Sequence, residues 1–367
     1  MKDFVFRNDT KLLFRNDIRE TVADIARGHK VLFVYGGGSA VRNGCLADVT
    51  SALAGAGIGW VEFGGSSREF GRIEQGIEHA LAEGVTMVIG AGGASVMDSA
   101  KLIAFGVRHR DGLWDYLKGK SPYGLDRLAL ALIPTYPSSG SENGLGAVAV
   151  DSRTGDFGTA YGIAADYAIL CPRYSLTLGP EMTAYTGLVT LVQLSAAIIG
   201  DTNRMSYDAG ISYIRNVLEA TRTLMTDPAD LDARGIILMG AALSTSSRLG
   251  IGKESNYAYD IYEIEFIPEQ LFGAPYRRSL TAVFPRFLER VARRHEGDVR
   301  RYFRDAFGFD GTVGDSVRRL TGLFGSFGVD MYFDGPVSRG QVEAIPCETE
   351  LEPDEIFGLV CDMIRTQ

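Results

Sequence analysis

The stretch MVIGAGGASVMDSAKLIAFGV, residues 87–107, decides the fold. A short apolar run, Met87–Ile89, passes through the glycine-rich turn Gly90-Ala91-Gly92-Gly93-Ala94-Ser95 into Ser95–Val107, whose apolar residues recur at helical spacing. The same unit repeats outward from it. Strands are predicted at Lys30–Tyr35, Gly59–Phe63, Leu128–Pro134 and Tyr167–Leu170, with helices over Gly44–Ala56 and Arg68–Ala82. Strand and helix in alternation predict a parallel sheet covered by helices. Past Leu178 the texture changes: 180–200, 206–225, 228–249, 280–294 and 354–365 read as helices with few strand-like runs between them. The expected organisation is an α/β domain over residues 1–178 and an α-helical domain over 179–367.

With 367 residues the chain is long enough for two cores, and 46% hydrophobic against 23% charged residues is a globular balance. Lys and Arg total 37 against 46 Asp and Glu, a net charge of -9 that repels nucleic acid and anionic membranes. The longest apolar runs, such as Val85–Gly93, are too short and too glycine-rich to span a bilayer. Four scattered cysteines without a CxxC pair give neither a zinc site nor a disulfide framework, so a cytoplasmic location is expected. Histidine is scarce: only His29, His79, His109 and His295 occur.

The 45 glycines concentrate where predicted strands hand over to helices. Gly36-Gly37-Gly38-Ser39 follows the Lys30–Tyr35 strand, and Gly92-Gly93-Ala94-Ser95 opens the helix that runs to Val107. Phosphate approaches the backbone closely only where Cβ atoms are absent, and a helix N-terminus then offers free N–H groups. Two such turns suggest a dinucleotide site. Neither has the GxGxxG spacing, so tight structural turns stay open as the other reading. A third polar turn, Pro134-Thr135-Tyr136-Pro137-Ser138-Ser139-Gly140-Ser141-Glu142, ends another predicted strand and offers hydroxyl and backbone donors, or is an ordinary surface loop.

Beyond these patterns the chain resembles the iron-containing, or group III, alcohol dehydrogenases, in their butanol dehydrogenase-like branch. The resemblance is carried by FVFRNDTKLLF (4–14), KVLFVYGGGSAVRNG (30–44), GAGGASVMDSAK (90–101), PTYPSSGSE (134–142) and SLTLGPEMTAYTG (175–187). It implies the dehydroquinate synthase-like architecture: an N-terminal dinucleotide-binding α/β domain, a C-terminal helical domain and an active site in the cleft between them. It also implies a pyrophosphate held by Gly92, Gly93, Ala94 and Ser95, with Thr135, Ser138, Ser139 and Leu178 lining the rest of the cofactor and Asp98 part of its site. Lys101, one turn after Asp98, is placed to pair with it. Where NAD-selective relatives carry an acidic residue, this chain has Gly37, Gly38, Ser39 and Arg42, which suit the extra phosphate of NADPH.

The family holds its metal with one Asp and three His. Aligned to that pattern, this chain has Val189 at the Asp, Gln193 at the first His, Tyr262 and Tyr276 at the other two, and Phe266 at a further His beside the nicotinamide. Valine has no donor atom, glutamine binds weakly, and an uncoordinated tyrosine is a phenol with a pKa near ~10. No catalytic iron or zinc is therefore expected. Asp260, Glu263 and Glu265 are the remaining carboxylates, an oxygen-rich set of the kind magnesium takes. Without a Lewis acid, a tyrosine hydroxyl can protonate a developing alkoxide, and an iminium carbon accepts hydride unaided. Tyr262, Tyr276 and Gln193 are the catalytic candidates, or the two rings only fill the vacated space. Tyr136, Val189, Tyr259, Glu263 and Phe266 are the expected substrate contacts, the third and fourth from the polar, aromatic segment 253–263. The leading reading is a metal-independent NAD(P)H-dependent reductase of a carbonyl or imine in a small, specialised metabolite, working as a homodimer. A pseudoenzyme that binds a nucleotide or partner, and a lyase or cyclase on the same fold, are the alternatives.

Overall fold

The computed structural model describes residues 2–119, 126–200, 202–246, 248–253 and 255–365. Two compact units emerge. One comprises Arg7–Leu178 with Ala241–Ser246; the other comprises Met1–Phe6, Gly179–Gly240 and Ser247–Gln367.

The first unit is built on a six-stranded, wholly parallel sheet. Its strands are β1 (Lys11–Phe14), β2 (Val31–Tyr35), β3 (Trp60–Phe63), β4 (Met87–Gly92), β5 (Ala129–Pro134) and β8 (Tyr167–Leu170), in the order β1-β8-β5-β4-β2-β3. The small antiparallel pair β6 (Ala147–Asp151) and β7 (Asp156–Ala160) lies outside that sheet. Alternation along the strands serves two cores. Leu32, Val34, Val88, Leu130 and Leu132 join Ile73, Ile77 and Ile103 on one face, while Val31, Phe33, Met87, Ile89 and Ile133 join Val22, Val49 and Leu53 on the other. Both faces are covered, which is why the strands read as near-continuous apolar runs.

Chain order turns one way from β2 to β3 and the other way from β4 to β5, so β2 and β4 flank the switch point of the sheet. Ligands of such sheets bind beyond the carboxyl ends of strands at that point. Both glycine turns leave from there.

The second unit is helical, with helices Pro180–Ile198, Arg204–Thr226, Tyr276–Phe307, Val313–Ser326 and Pro353–Cys361 around one large core. Helix Pro180–Ile198 is buried from Thr183 to Ile198 on every side. A helix apolar all round is an interior helix. Among the described residues no helix is long and apolar enough to cross a membrane, and all four cysteines are free thiols.

Candidate active site

Three loops converge at the carboxyl end of the sheet. After β2, Gly36–Gly38 leads into the short helix Ser39–Arg42; after β4, Gly93 leads into helix Ala94–Gly106. β2 and β4 are paired neighbours, Tyr35 opposite Ala91. The loop after β5 joins them: Thr135 N donates to Gly92 O at 2.9 Å, and Tyr136 lies against Gly93. No side chain caps the helix at Gly93, and the N–H groups of Ala94 and Ser95 have no acceptor among the described residues. Such a helix start holds anions. Ala94 stands at a helical position, where its methyl group carries no backbone strain, and Ser95 is exposed. Arg42 is exposed, forms no ion pair among the described residues and folds its guanidinium back over Gly38. Thr135 and Ser138 are buried, Ser139 and Leu178 half-buried.

Asp98 is 4% exposed and fully engaged. It accepts from Arg68 Nε at 3.0 Å, Ser141 Oγ at 2.7 Å and Val148 N at 3.3 Å. The Asp98–Lys101 pair expected from helical spacing does not form. The Lys101 ammonium is fully buried and donates instead to the carbonyls of Gly144 and Gly146, both at 2.8 Å. Burial holds that ammonium down, to about 8, against the opposing pull of Asp98 and Glu142. Glu142, which the sequence marks only as the end of a polar turn, is 1% exposed with Oε1 unpartnered among the described residues. Burial pushes its carboxyl up to about 7, more than the backbone and Lys101 pull it down.

This buried acid makes stability depend on pH. A carboxyl protonated at 4.5 when unfolded and at about 7 when folded binds an extra proton between those values, so its contribution is whole below 4.5 and is lost as pH rises through 7. Lys101 has the opposite sign, its cost relieved only above about 8. Urea titrations of wild type and Glu142→Gln at pH 5 and pH 8 test this. The variant is expected to gain about 1–3 kcal/mol on wild type between the two pH values; a constant difference overturns the assignment.

In the helical unit, Tyr185, Val189 and Gln193 follow one another at four-residue spacing along helix Pro180–Ile198 and share a face. Val189 is fully buried and Gln193 is 4% exposed. Gln193 Nε2 donates to the Tyr276 hydroxyl at 3.3 Å. Tyr262 joins them: its phenol is pushed well up by burial first, then by Tyr276, Tyr259 and Glu265. Its ring stacks with that of Tyr259, centroids 6.1 Å apart, and Lys253 Nζ lies 4.8 Å over the Tyr259 ring while donating to Ala196 O. The three catalytic candidates and Val189 are thus brought together.

The other expected contacts fare differently. Phe266 is half-buried and opens helix Phe266–Phe272. Glu263 is exposed, its carboxyl raised by burial of the acid group and by Glu348 and Asp260. Asp260 is committed to Thr349 Oγ1 at 2.9 Å and Glu350 N at 2.8 Å. Glu265 is buried. Glu254, in the same polar segment, lies outside the described residues. Among the described residues no three His, Cys, Asp or Glu side chains gather as a metal-binding group, the three carboxylates proposed for magnesium included. Tyr185 and Arg277 go unremarked in the sequence because their place at this face rests on contacts between distant helices.

Residues 9–175 match the family described as iron-containing alcohol dehydrogenase. Among curated proteins, the chain is 25% identical over 299 residues to the probable NADH-dependent butanol dehydrogenase 1 of Bacillus subtilis, covering 78% of this chain and 76% of that one. It is 26% identical over 301 residues to the NADPH-dependent aldehyde reductase YqhD of Escherichia coli, covering 78% and 75%. Of solved structures, NADH-dependent butanol dehydrogenase A from Thermotoga maritima superposes with a TM-score of 0.90 at 23% identity, covering 100% and 99% of the two chains. Sulfoacetaldehyde reductase from Bifidobacterium kashiwanohense gives 0.85 at 17% identity, covering all of both chains.

Proposed function

The chain belongs to the iron-containing alcohol dehydrogenase family, and from that premise we propose that it is an NADPH-preferring reductase of a small carbonyl or imine compound that works without a metal, as a cytoplasmic homodimer. The observation that carries this reading is the Gln193–Tyr276 hydrogen bond, between two residues that the sequence comparison aligns with metal ligands of the family. The donor set does not fit iron or zinc. Val189 has no ligating atom, the Gln193 amide nitrogen is turned on a phenol, and burial makes Tyr262 hard to ionise. The Tyr276 hydroxyl, with Gln193 Nε2 on its oxygen, fits proton donation instead.

The nucleotide turns do fit their cofactor. The open N–H groups of Ala94 and Ser95 and the exposed backbone of Gly37 would hold the pyrophosphate, and Arg42 with Ser39 would take the additional phosphate of NADPH. When bound, that cofactor supplies hydride. Tyr276 holds the proton at its hydroxyl for the oxygen or nitrogen on which negative charge develops, and Gln193 Nε2 steadies the phenol oxygen as the proton leaves.

The test is a titration of purified protein with NADPH and NADH, followed by nicotinamide fluorescence, with metal analysis of the same sample. NADPH is expected to bind at least about tenfold tighter, the difference one charge-assisted phosphate contact makes, and reduction is expected to survive chelators. Activity that tracks stoichiometric iron or zinc overturns the metal-free reading, and no affinity for either nucleotide overturns the reductase.

A further inference from the structure

Helix Tyr276–Phe307 begins with Tyr276, Arg277 and Arg278 directly after Pro275. Two guanidinium groups in the first turn oppose the partial positive charge of the helix start, so an anion beside them is favourable. Arg278 has one: it pairs with Asp330 at 2.5 Å and donates to Tyr332 O. Arg277 has none. Among the described residues no carboxylate pairs with it; its side chain is half-buried, and its Nε, like that of Arg278, is buried without an acceptor. The charges felt beside it by the Tyr185 phenol are Glu181, Arg278, Arg277 itself and Asp330. Asp330 is already shared between Arg278 and Arg365, and Glu181 is exposed and pairs with no cation among the described residues.

The position of this unpaired cation gives it a use. Its guanidinium carbon lies 5.7 Å from the centroid of the Tyr185 ring, on the face where Val189 and Gln193 follow. Gln193 reaches the Tyr276 hydroxyl. Phenol and guanidinium therefore address one helix face at points two turns apart, on the order of 10 Å along the axis. Allowing a hydrogen bond at each end leaves roughly 4–6 Å, the span of about three to five bonds.

We propose that Arg277 binds an anionic end of the substrate, so that the compound reduced carries a carboxylate or kindred oxyanion a few bonds from the carbonyl or imine that reacts. This rests on the reductase reading and names its substrate class. A guanidinium presents paired N–H donors that match a carboxylate in geometry as well as charge. A cation in the first turn of a helix is mildly unfavourable, and a bound anion offsets it.

The experiment is calorimetric titration of the full chain, with NADPH present, using 5-hydroxypentanoate and pentan-1-ol, which differ only in the anionic group and have nothing to react with under those conditions. Wild type is expected to bind the hydroxy acid at least about tenfold more tightly, as one charge-assisted contact gives. Arg277→Gln is expected to erase the difference, Arg277→Lys to keep part of it, and both to bind NADPH as wild type does. Equal or undetectable binding of the two compounds by wild type, a preference that survives Arg277→Gln, or loss of NADPH affinity in that variant overturns the proposal. The wild-type comparison needs no variant to fold. Turnover is read separately: if the preference stands while neither 5-oxopentanoate nor pentanal is reduced, the anion site holds and the reductase reading falls.

Discussion

Tyr276→Phe is expected to lower kcat by about 10²–10⁴-fold, the usual worth of a positioned general acid, while NADPH affinity and melting temperature stay near wild type. The reason is geometric. The Tyr276 oxygen accepts a hydrogen bond from Gln193 Nε2, a contact that does not itself use the phenol's proton. The amide N–H remains in place for the phenolate that follows, which lowers the cost of donation. Tyr262 stands beside it without such a hydrogen bond among the described residues, its proton held by burial. Tyr262→Phe is accordingly expected to cost much less than Tyr276→Phe. Steady-state kinetics with saturating NADPH separates the cases. If Tyr262→Phe is the damaging change, the two phenols exchange roles; if neither change slows the reaction, the rings only fill the space left by metal ligands.

What the sequence made legible was local. Strands β2, β3 and β4, and the helices after them, announce themselves by short apolar runs followed by glycine and then by helical periodicity, all within some twenty residues, while β5 and β8 show only the apolar run. β1 escaped because Lys11–Phe14 has only two half-buried residues between exposed ends, and its partner β8 lies more than 150 residues away. The pair β6 and β7 was missed because Gly158 and small alanines give little β signal of their own. The helix expected over 280–294 runs from Tyr276 to Phe307, past a non-helical residue at His295. Its charged second half hides the buried Val299, Tyr302, Phe303 and Ala306, which recur at three- and four-residue intervals.

The candidate site divides in the same way. Glycine turns belong to one stretch of chain and could be read. The Asp98–Lys101 pair was also read locally, and there tertiary structure won: Arg68, thirty residues upstream, takes the carboxylate, and two loop carbonyls take the ammonium. Tyr262 and Tyr276 could be placed near Gln193 only through resemblance to a family, because nothing in their spacing shows that three separate helices meet. Arg277 was invisible for a related reason, since an arginine announces its charge in a sequence but not the absence of a partner.

Gly37→Ala and Gly90→Ala, one methyl group each, are expected to have opposite consequences. A Cβ at Gly90 would stand 2.5 Å from Ala100 Cβ and 3.0 Å from Leu132 Cδ2, and both neighbours are fully buried. Neither is a flexible tip that can swing aside, so helix Ala94–Gly106 must lift from β4, at about 1–3 kcal/mol. Gly37 is exposed, and a Cβ there would meet nothing within 4 Å. Its substitution is expected to change stability by no more than about 0.5 kcal/mol, because the fold makes no use of the missing side chain. If Gly37 is glycine for a ligand's sake, the methyl instead stands where a phosphate must approach the backbone, and NADPH affinity should fall roughly tenfold, about 1.4 kcal/mol. Thermal melts and nicotinamide fluorescence on the two variants give the crossed pattern: Gly90→Ala melts early, and Gly37→Ala melts normally but binds poorly. A Gly37→Ala protein that binds NADPH as wild type does would remove the β2 turn from the nucleotide site and leave the β4 turn to hold the phosphates alone.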